Sequence, residues 1–259
     1  MSSFEKRLER LEFKYLVDEA TAERVRRDIE PFCRPDVHNP ATGGYGISSL
    51  YLDSPGLAMH WAKERGDPDR MKLRIRSYAG STIRVVERKH RFSEVVDKSR
   101  AIVSREEGEL AAHGGVPQVD SYEEQRFLDE FAMNVASFGA EPTLHVRYER
   151  EAYASLVDSY ARVTFDRNIS AQRVYEGSLN PEPGGWYEYA DHWLREEADR
   201  TIVLELKCQT SSIPWWITEL VQSNGLQRTS FSKYSVGIYI TGSVMGAFNQ
   251  GRRSARMMQ

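Results

Sequence analysis

Residues 71–91 read MKLRIRSYAGSTIRVVERKHR, a pattern of two short strands joined by a turn at Ala79, Gly80 and Ser81. In the first strand Lys72, Arg74, Arg76 and Tyr78 alternate with Leu73 and Ile75; in the second, Val85, Glu87 and Lys89 alternate with Val86 and Arg88. Successive side chains of a strand point to opposite faces, so Lys72, Arg74 and Arg76 share one face, and Glu87 and Lys89 share another. One side of the first strand is therefore cationic and the other apolar. A single strand of this kind is an ordinary antiparallel arrangement, apolar toward the core and charged toward water. Recurrence of the pattern elsewhere in the chain is what changes its meaning.

It does recur. Arg10, Glu12 and Lys14 alternate with Leu11, Phe13 and Tyr15; Arg162, Thr164 and Asp166 alternate with Val163 and Phe165; Val203, Glu205 and Lys207 alternate with Ile202, Leu204 and Leu206. Further strands are expected at Ile47 to Asp53, Thr143 to Tyr153 and Val236 to Thr241. Helix signals stand between them. Asp18 opens a helix running to Phe32, and a short one follows from Leu57 to Glu64. Ser104 with Glu107 has capping-box spacing ahead of a helix that Gly114 and Gly115 stop. Ser121 with Glu124 precedes Phe127, Leu128, Phe131 and Val135, one apolar helix face closed by Gly139. Ser212, Pro214 and Gly225 bracket a helix bearing Trp215, Trp216, Ile217 and Leu220, and both tryptophans read as packing residues, one ring reaching the surface. Residues 177–200, rich in Pro, Gly and aromatics, read as a long loop.

Five strands thus carry a polar or ionic set on one face and an apolar set on the other. Helices bury the apolar face, which leaves the charged face to line either open water or, if the sheet closes, an enclosed lumen. The fold class expected is α+β, an antiparallel sheet with helices packed outside; closed into a β-barrel of about eight strands, it would be a tunnel with a polar, basic lumen.

A chain of 259 residues, 40% apolar and 28% charged, can bury one large core. It reads as a single domain over residues 1–245 with a short basic tail, residues 246–259. A formal net charge of -3 gives no general attraction for nucleic acid, so no such partner is expected. Cys33 and Cys208 stand far apart, without metal-ligand spacing, which points away from a disulfide framework or zinc site and toward a reducing cytoplasm. Met1 to Arg10 is charged, unlike an export signal, and no apolar run nears the roughly 20 residues that span a bilayer.

A cationic lumen needs an anionic partner, because burying bare charge costs more than folding supplies. Arg offers a planar fork for phosphate oxygens and Lys a compact charge, so an extended polyanion such as a triphosphate or polyphosphate satisfies many donors together. Glu12, Glu87, Asp166 and Glu205 make poor phosphate contacts. They serve either to orient the basic groups or to hold a hard divalent cation, Mg²⁺ or Mn²⁺, between carboxylate and phosphate oxygens. No Ser/His/Asp or Cys/His arrangement for nucleophilic catalysis is discernible.

The succession Arg10-x-Glu12-x-Lys14-Tyr15, Ser49-Leu50-Tyr51-Leu52-Asp53-Ser54, Lys72-x-Arg74-x-Arg76-x-Tyr78, Glu87-x-Lys89, Tyr148-x-Arg150, Arg162-Val163-Thr164-Phe165-Asp166-Arg167, Leu204-Glu205-Leu206-Lys207 and Ser230-Phe231-Ser232-Lys233-Tyr234 resembles the VTC domain. This is the catalytic domain of the vacuolar transporter chaperone polyphosphate polymerases, within the triphosphate tunnel metalloenzyme superfamily. The resemblance runs in order from about Arg10 to Tyr239. It implies a tunnel that binds a nucleoside triphosphate, ATP, and moves its γ-phosphate onto a growing polyphosphate chain. Carried over by position, Lys14, Arg74, Arg76, Lys89, Arg150, Arg162, Ser232 and Lys233 grip phosphates, with Lys207 beside them and Lys98 at the tunnel mouth. Arg74, Arg76, Arg150, Arg162 and Glu205 form the implied catalytic set. Glu205 holds the metal, Mn²⁺ or Mg²⁺. The wider superfamily opens with Glu-x-Glu-x-Lys where this chain has Arg10, so Glu12 is the one further carboxylate ligand its first strand offers.

Other roles fit the same letters. Ser232 suits a helix or turn cap, Lys207 can simply neutralise Glu205, and Lys98 and Arg167 can be surface charges. Two other functions fit the same tunnel: hydrolysis of inorganic or nucleoside triphosphate with water as acceptor, and non-catalytic binding of polyphosphate or nucleotide. Glu205 beside the basic set favours metal chemistry, since a pure anion binder gains nothing from a carboxylate in its cradle.

Overall fold

The computed structural model describes residues 10–37, 39, 43–93, 95–158, 160–175, 179–193, 201–209 and 213–242. In chain order the elements are β1 (Arg10–Val17), α1 (Glu19–Ile29), β2 (Cys33–Pro35), β3 (Tyr45–Asp53), α2 (Ala58–Arg65), β4 (Asp69–Tyr78), β5 (Arg84–Phe92), β6 (Val95–Val103), α3 (Arg105–Ala112), α4 (Tyr122–Phe138), β7 (Glu141–Ser155), β8 (Arg162–Arg173), β9 (Tyr187–Glu188), α5 (Tyr189–Trp193), β10 (Ile202–Gln209), α6 (Trp215–Ser223) and α7 (Lys233–Ile240). The strands hydrogen-bond in the order β1-β10-β8-β7-β3-β4-β5-β6, with β2 on β7 and β9 on β8. The fold is α+β around this antiparallel path, and among the described residues β1 and β6 end it. No helix among the described residues is long and apolar enough to cross a membrane.

The chain forms two compact units. The first comprises Met1–Gly46, Tyr148–Ile169 and Ala190–Phe231. Its ladder pairs Glu12 with Lys207 and Lys14 with Glu205 between β1 and β10, then Glu205 with Thr164 and Lys207 with Arg162 between β10 and β8. Glu12 and Lys14 of β1, Glu205 and Lys207 of β10, and Arg162 and Asp166 of β8 therefore share one face, as their alternation demands. The opposite face buries Tyr15, Val17, Phe165, Leu204 and Leu206 with Val25 and Ile29 of α1 and Trp216, Ile217 and Leu220 of α6. Asp18 caps α1 by accepting the Thr21 amide at 2.6 Å. Phe32 stacks on the buried Trp216 at 5.6 Å and meets the exposed Trp215 edge-on at 5.3 Å, the packing arrangement anticipated for that pair.

The second unit comprises Ile47–Arg147, Ser170–Tyr189 and Ser232–Gln259. Here β3, β4, β5 and β6 form an antiparallel meander. Leu50, Leu52, Leu73, Ile75, Val86, Ala101 and Val103 make its apolar face, covered by α3 and by Phe127, Leu128, Phe131 and Val135 of α4. Each fully buried Leu, Ile, Val or Phe of this core contributes about 1.5–3 kcal/mol. The capping box at α3 is reciprocal: Ser104 Oγ accepts the Glu107 amide at 3.2 Å, and Glu107 Oε2 accepts the Ser104 amide at 2.7 Å.

Three features depart from the sequence reading. Val236 to Ile240 belongs to helix α7, with Thr241 as its C-cap, and not to a strand. Ser232 Oγ accepts the Ser235 amide and starts the helix, while Gly237 lets it lie close: a Cβ there would stand 2.6 Å from Leu144 and 2.7 Å from the Tyr189 hydroxyl. Strand β6 is present where none was expected, and residues 187–193 of the supposed loop hold β9 and α5. The basic tail and Ser212 lie outside the described residues.

Candidate functional site

In the second unit, the register stacks three rows across β4, β5 and β6: Arg76, Val85 and Ile102; Arg74, Glu87 and Arg100; Lys72, Lys89 and Lys98. These rows place six cations and one carboxylate on one face. Like charges directly opposed across strands repel, and the Lys72, Lys89 and Lys98 row opposes three of them. Glu87, only 2% exposed, is the group that holds the cluster together. It receives Arg74 Nε at 2.7 Å, Lys98 Nζ at 2.9 Å and Arg76 Nη2 at 3.4 Å. Burial alone would raise its pKa, but Arg74, Arg76 and Lys98 outweigh burial and hold the carboxyl far below its ordinary range. Partial desolvation and the Arg74 and Arg76 charges push the Lys98 ammonium down to about 8, against the attraction of Glu87. The Ser49 hydroxyl, opposite Arg76 in register, and Arg76 Nε are buried without partners among the described residues. Lys72 Nζ donates to Ser232 Oγ at 2.8 Å, which brings the start of α7 to this same face.

In the first unit, cations and carboxylates nearly balance. Arg150 grips Asp166 with both arms of its guanidinium, at 2.6 and 2.7 Å, and approaches Glu205 at 3.8 Å. Lys207 meets Glu205 at 2.9 Å; Lys14 meets Glu12 at 3.0 Å and Glu205 at 3.7 Å. Burial opposes the charged form of Glu205, but Lys207, the Glu12 carboxyl within hydrogen-bonding reach, Lys14 and Arg150 hold its pKa well below the ordinary value. Thr164 Oγ1, opposite Glu205 in register, is buried and has no partner among the described residues.

A family model described as the VTC domain matches residues 9–241, nine-tenths of the chain. The chain belongs to the VTC domain family. This bears out the family read from the ordered motifs. No curated protein matches the sequence. Among solved structures, the chain is similar to a candidate adenylate cyclase from Bacillus halodurans, with 13% identity, a TM-score of 0.50, and 87% of this chain and 94% of that one covered. It is also similar to a candidate adenylyl cyclase from Hippeastrum described as having a dominant triphosphatase activity, with 15% identity, a TM-score of 0.49, and 87% and 93% covered. At such identities the likeness concerns the fold.

In this VTC domain, the residues singled out from sequence fall into two clusters and some outliers. Lys14, Arg150, Lys207 and Glu12 gather around Glu205; Arg74, Arg76 and Lys98 gather around Glu87. Arg162 stands apart from Glu205, half exposed and 3.4 Å from Asp36, although its register places it on the same face. Lys89 is exposed within the lysine row, and Lys233 is half-buried at the first turn of α7. Arg167 is no isolated surface charge: it pairs with Glu19 at 2.8 Å and Glu151 at 3.0 Å, holding α1 to the sheet. Ser232 is both the cap of α7 and an acceptor for Lys72. Sequence reasoning missed Arg100 and the partnership of Lys98 with Glu87, because both depend on β6. The alternation of Val96, Lys98, Arg100 and Ile102 with Asp97, Ser99, Ala101 and Val103 was the available signal.

Among the carboxyls with a lowered pKa, Glu87, Glu205 and Glu151 are the more buried and give the VTC domain a defined acid limb. Each is harder to protonate folded than unfolded, so each contributes stability above its ordinary pKa of 4.5 and loses it as pH falls through the folded value. Urea midpoints measured from pH 7 to pH 3 should fall little above the ordinary carboxyl range and steeply below it. A flat profile down to pH 3 would contradict these assignments.

Proposed function

We propose that this VTC domain is a metal-dependent polyphosphate polymerase that transfers the γ-phosphate of ATP to the end of a growing polyphosphate chain. The observation that carries the reading is the surplus of six cations over one carboxylate on the β4–β6 face, with the Ser49 hydroxyl and Arg76 Nε left over as buried donors. Such a face asks for a ligand with many closely spaced negative oxygens. Arg74 and Arg76 are pre-aimed by Glu87, so they meet a phosphate chain with little reorganisation and neutralise charge as it develops in the transition state. Lys72, Lys89 and Lys98 lose their mutual repulsion when an anion lies among them. The closed tunnel expected from the motifs is part of this proposal.

The Glu205 cluster suits a different task. Its carboxylates offer only hard oxygen ligands, and the described residues contain no group of three or more His, Cys, Asp or Glu placed to hold a metal. That donor set fits Mg²⁺ or Mn²⁺, which is commonly held by one or two carboxylates together with phosphate oxygens and waters. Glu205 would be the principal ligand and Glu12 the second. Such an ion supplies Lewis-acid polarisation of the transferring phosphoryl group. Arg150, fixed by Asp166, and Lys14 and Lys207 then counter the negative charge of the phosphates. A terminal phosphate acceptor is already anionic, so the transfer needs no general base, in keeping with positioning and charge neutralisation as the main work of phosphoryl transfer.

Incubation of the protein with ATP and Mn²⁺, followed by gel separation of products by chain length, tests the reading. Long-chain polyphosphate is the expected product. Orthophosphate alone would replace the polymerase with a triphosphatase, and ATP binding without turnover would reduce the domain to a binding module.

A further inference from the structure

The start of α7 carries Ser232 and Lys233, and an eight-residue helix is too short to fix its own position. The residues that fix it lie in a buried hydrogen-bonded chain rooted at Asp53, the last residue of β3. Asp53 is fully buried and accepts four hydrogen bonds: from the Ser54 amide at 2.8 Å and the Met59 amide at 2.9 Å on Oδ1, and from the His60 amide at 2.9 Å and the Tyr234 hydroxyl at 2.6 Å on Oδ2. Three of these donors are backbone groups around the start of α2, so the carboxylate is immobile relative to the sheet and that helix. The fourth comes from α7, one residue after Lys233. The Tyr234 ring also stacks on Tyr51 at 4.9 Å, and the Tyr51 hydroxyl accepts Arg74 Nη1 at 3.3 Å. From another side, the Tyr189 hydroxyl donates to the Lys233 carbonyl.

We propose that Asp53 and Tyr234 are positioning residues: their hydrogen bond sets where Ser232 and Lys233 stand on the cationic face. This rests on the functional reading above, in which that face receives a phosphate chain. A phenol ring has only two torsions, so anchoring its hydroxyl at a fixed carboxylate fixes the adjacent helix turn closely. Loss of the hydroxyl would leave the ring stacked on Tyr51 while allowing the turn to shift by enough to misplace Ser232 Oγ, which already stands 2.8 Å from Lys72. The end of β3 and the start of α7 are thereby joined through Tyr234, by its hydrogen bond to Asp53 and its stack on Tyr51.

Inorganic tripolyphosphate, titrated calorimetrically into metal-free protein, provides the test. Tyr234→Phe removes one oxygen and should weaken tripolyphosphate binding about tenfold in the otherwise natural chain. In a Ser232→Ala, Lys233→Ala background there is nothing left to position, and the same change should cost less than about twofold. Asp53→Asn should act in the same direction; Tyr234→Phe, the milder change, keeps the test open should Asp53→Asn fail to fold by far-ultraviolet circular dichroism. A general loosening of the fold would instead weaken binding equally in both backgrounds, and that equality, or full affinity in Tyr234→Phe, overturns the inference. Failure of the natural chain to bind tripolyphosphate overturns the functional reading and this inference with it, whereas binding that is unaffected by Tyr234→Phe overturns this inference alone.

Discussion

Glu87→Gln should lower the stability of the protein by about 2–4 kcal/mol, which urea denaturation at pH 7 would read directly. The carboxylate is 2% exposed and faces Arg74 at 2.7 Å, Lys98 at 2.9 Å and Arg76 at 3.4 Å. Glutamine keeps the volume and one acceptor oxygen but removes the one negative charge in the three rows, so three cations are left facing one another. The figure reaches below the roughly 3–5 kcal/mol typical of breaking a fully buried ion pair because the side chains of Arg74 and Lys98 keep 23% and 46% of their exposure. An anionic ligand can take over the missing charge. Saturating tripolyphosphate should therefore raise the urea midpoint of Glu87→Gln by more than that of the natural protein. Unchanged stability, or equal rescue in both proteins, would show that Glu87 does not hold the cluster.

The faces of this sheet were legible in the sequence because alternation is a local property. Glu12 and Lys14, Lys72 to Arg76, and Glu205 and Lys207 each repeat every second residue, and each apolar reverse is packed as the alternation requires. Cap signals at Asp18, Ser104 and Ser121 are equally local, and all three accept the expected amide. What failed depends on groups distant in sequence. Arg167 has the same letter as Arg150, yet Arg150 turns to Asp166 while Arg167 reaches Glu19 and Glu151. Arg167 directly follows Asp166, so ordinary alternation turns it to the opposite face and to Glu151, and the left-handed backbone of Asn168, with φ of 50°, comes only after it, where Asn168 meets Glu149. Helix α7 was misread for a related reason. Tyr234, Val236, Ile238 and Ile240 alternate as a strand would, and after Lys233 the other positions, Ser235, Gly237 and Tyr239, are small or aromatic, so no helical stripe betrays it. Its helical form is decided by the Ser232 cap and by the close seat at Gly237, for which the contacts come from Leu144 and Tyr189.

Glu205→Gln should separate binding from chemistry. In the proposed reading, Glu205 is the chief metal ligand, so Mn²⁺-dependent turnover of ATP should fall by about two orders of magnitude or more, with a raised Mn²⁺ requirement for what remains. The effect on metal-free binding should have the opposite sign. Lys207 at 2.9 Å, Lys14 at 3.7 Å and Arg150 at 3.8 Å now divide their charge between this carboxylate and any phosphate. Loss of the negative charge frees that attraction and removes a repulsion for phosphate oxygens, so the Kd for tripolyphosphate without metal should tighten severalfold. Were Glu205 only a structural counter-ion, its neutralisation would let the three cations repel and drift, and binding and turnover would weaken together. Parallel measurement of metal-free tripolyphosphate affinity and of Mn²⁺-dependent turnover in the same variant therefore decides between the roles: tighter binding with lost turnover supports the metal ligand, and joint loss assigns Glu205 to the support of Arg150 and its lysine neighbours.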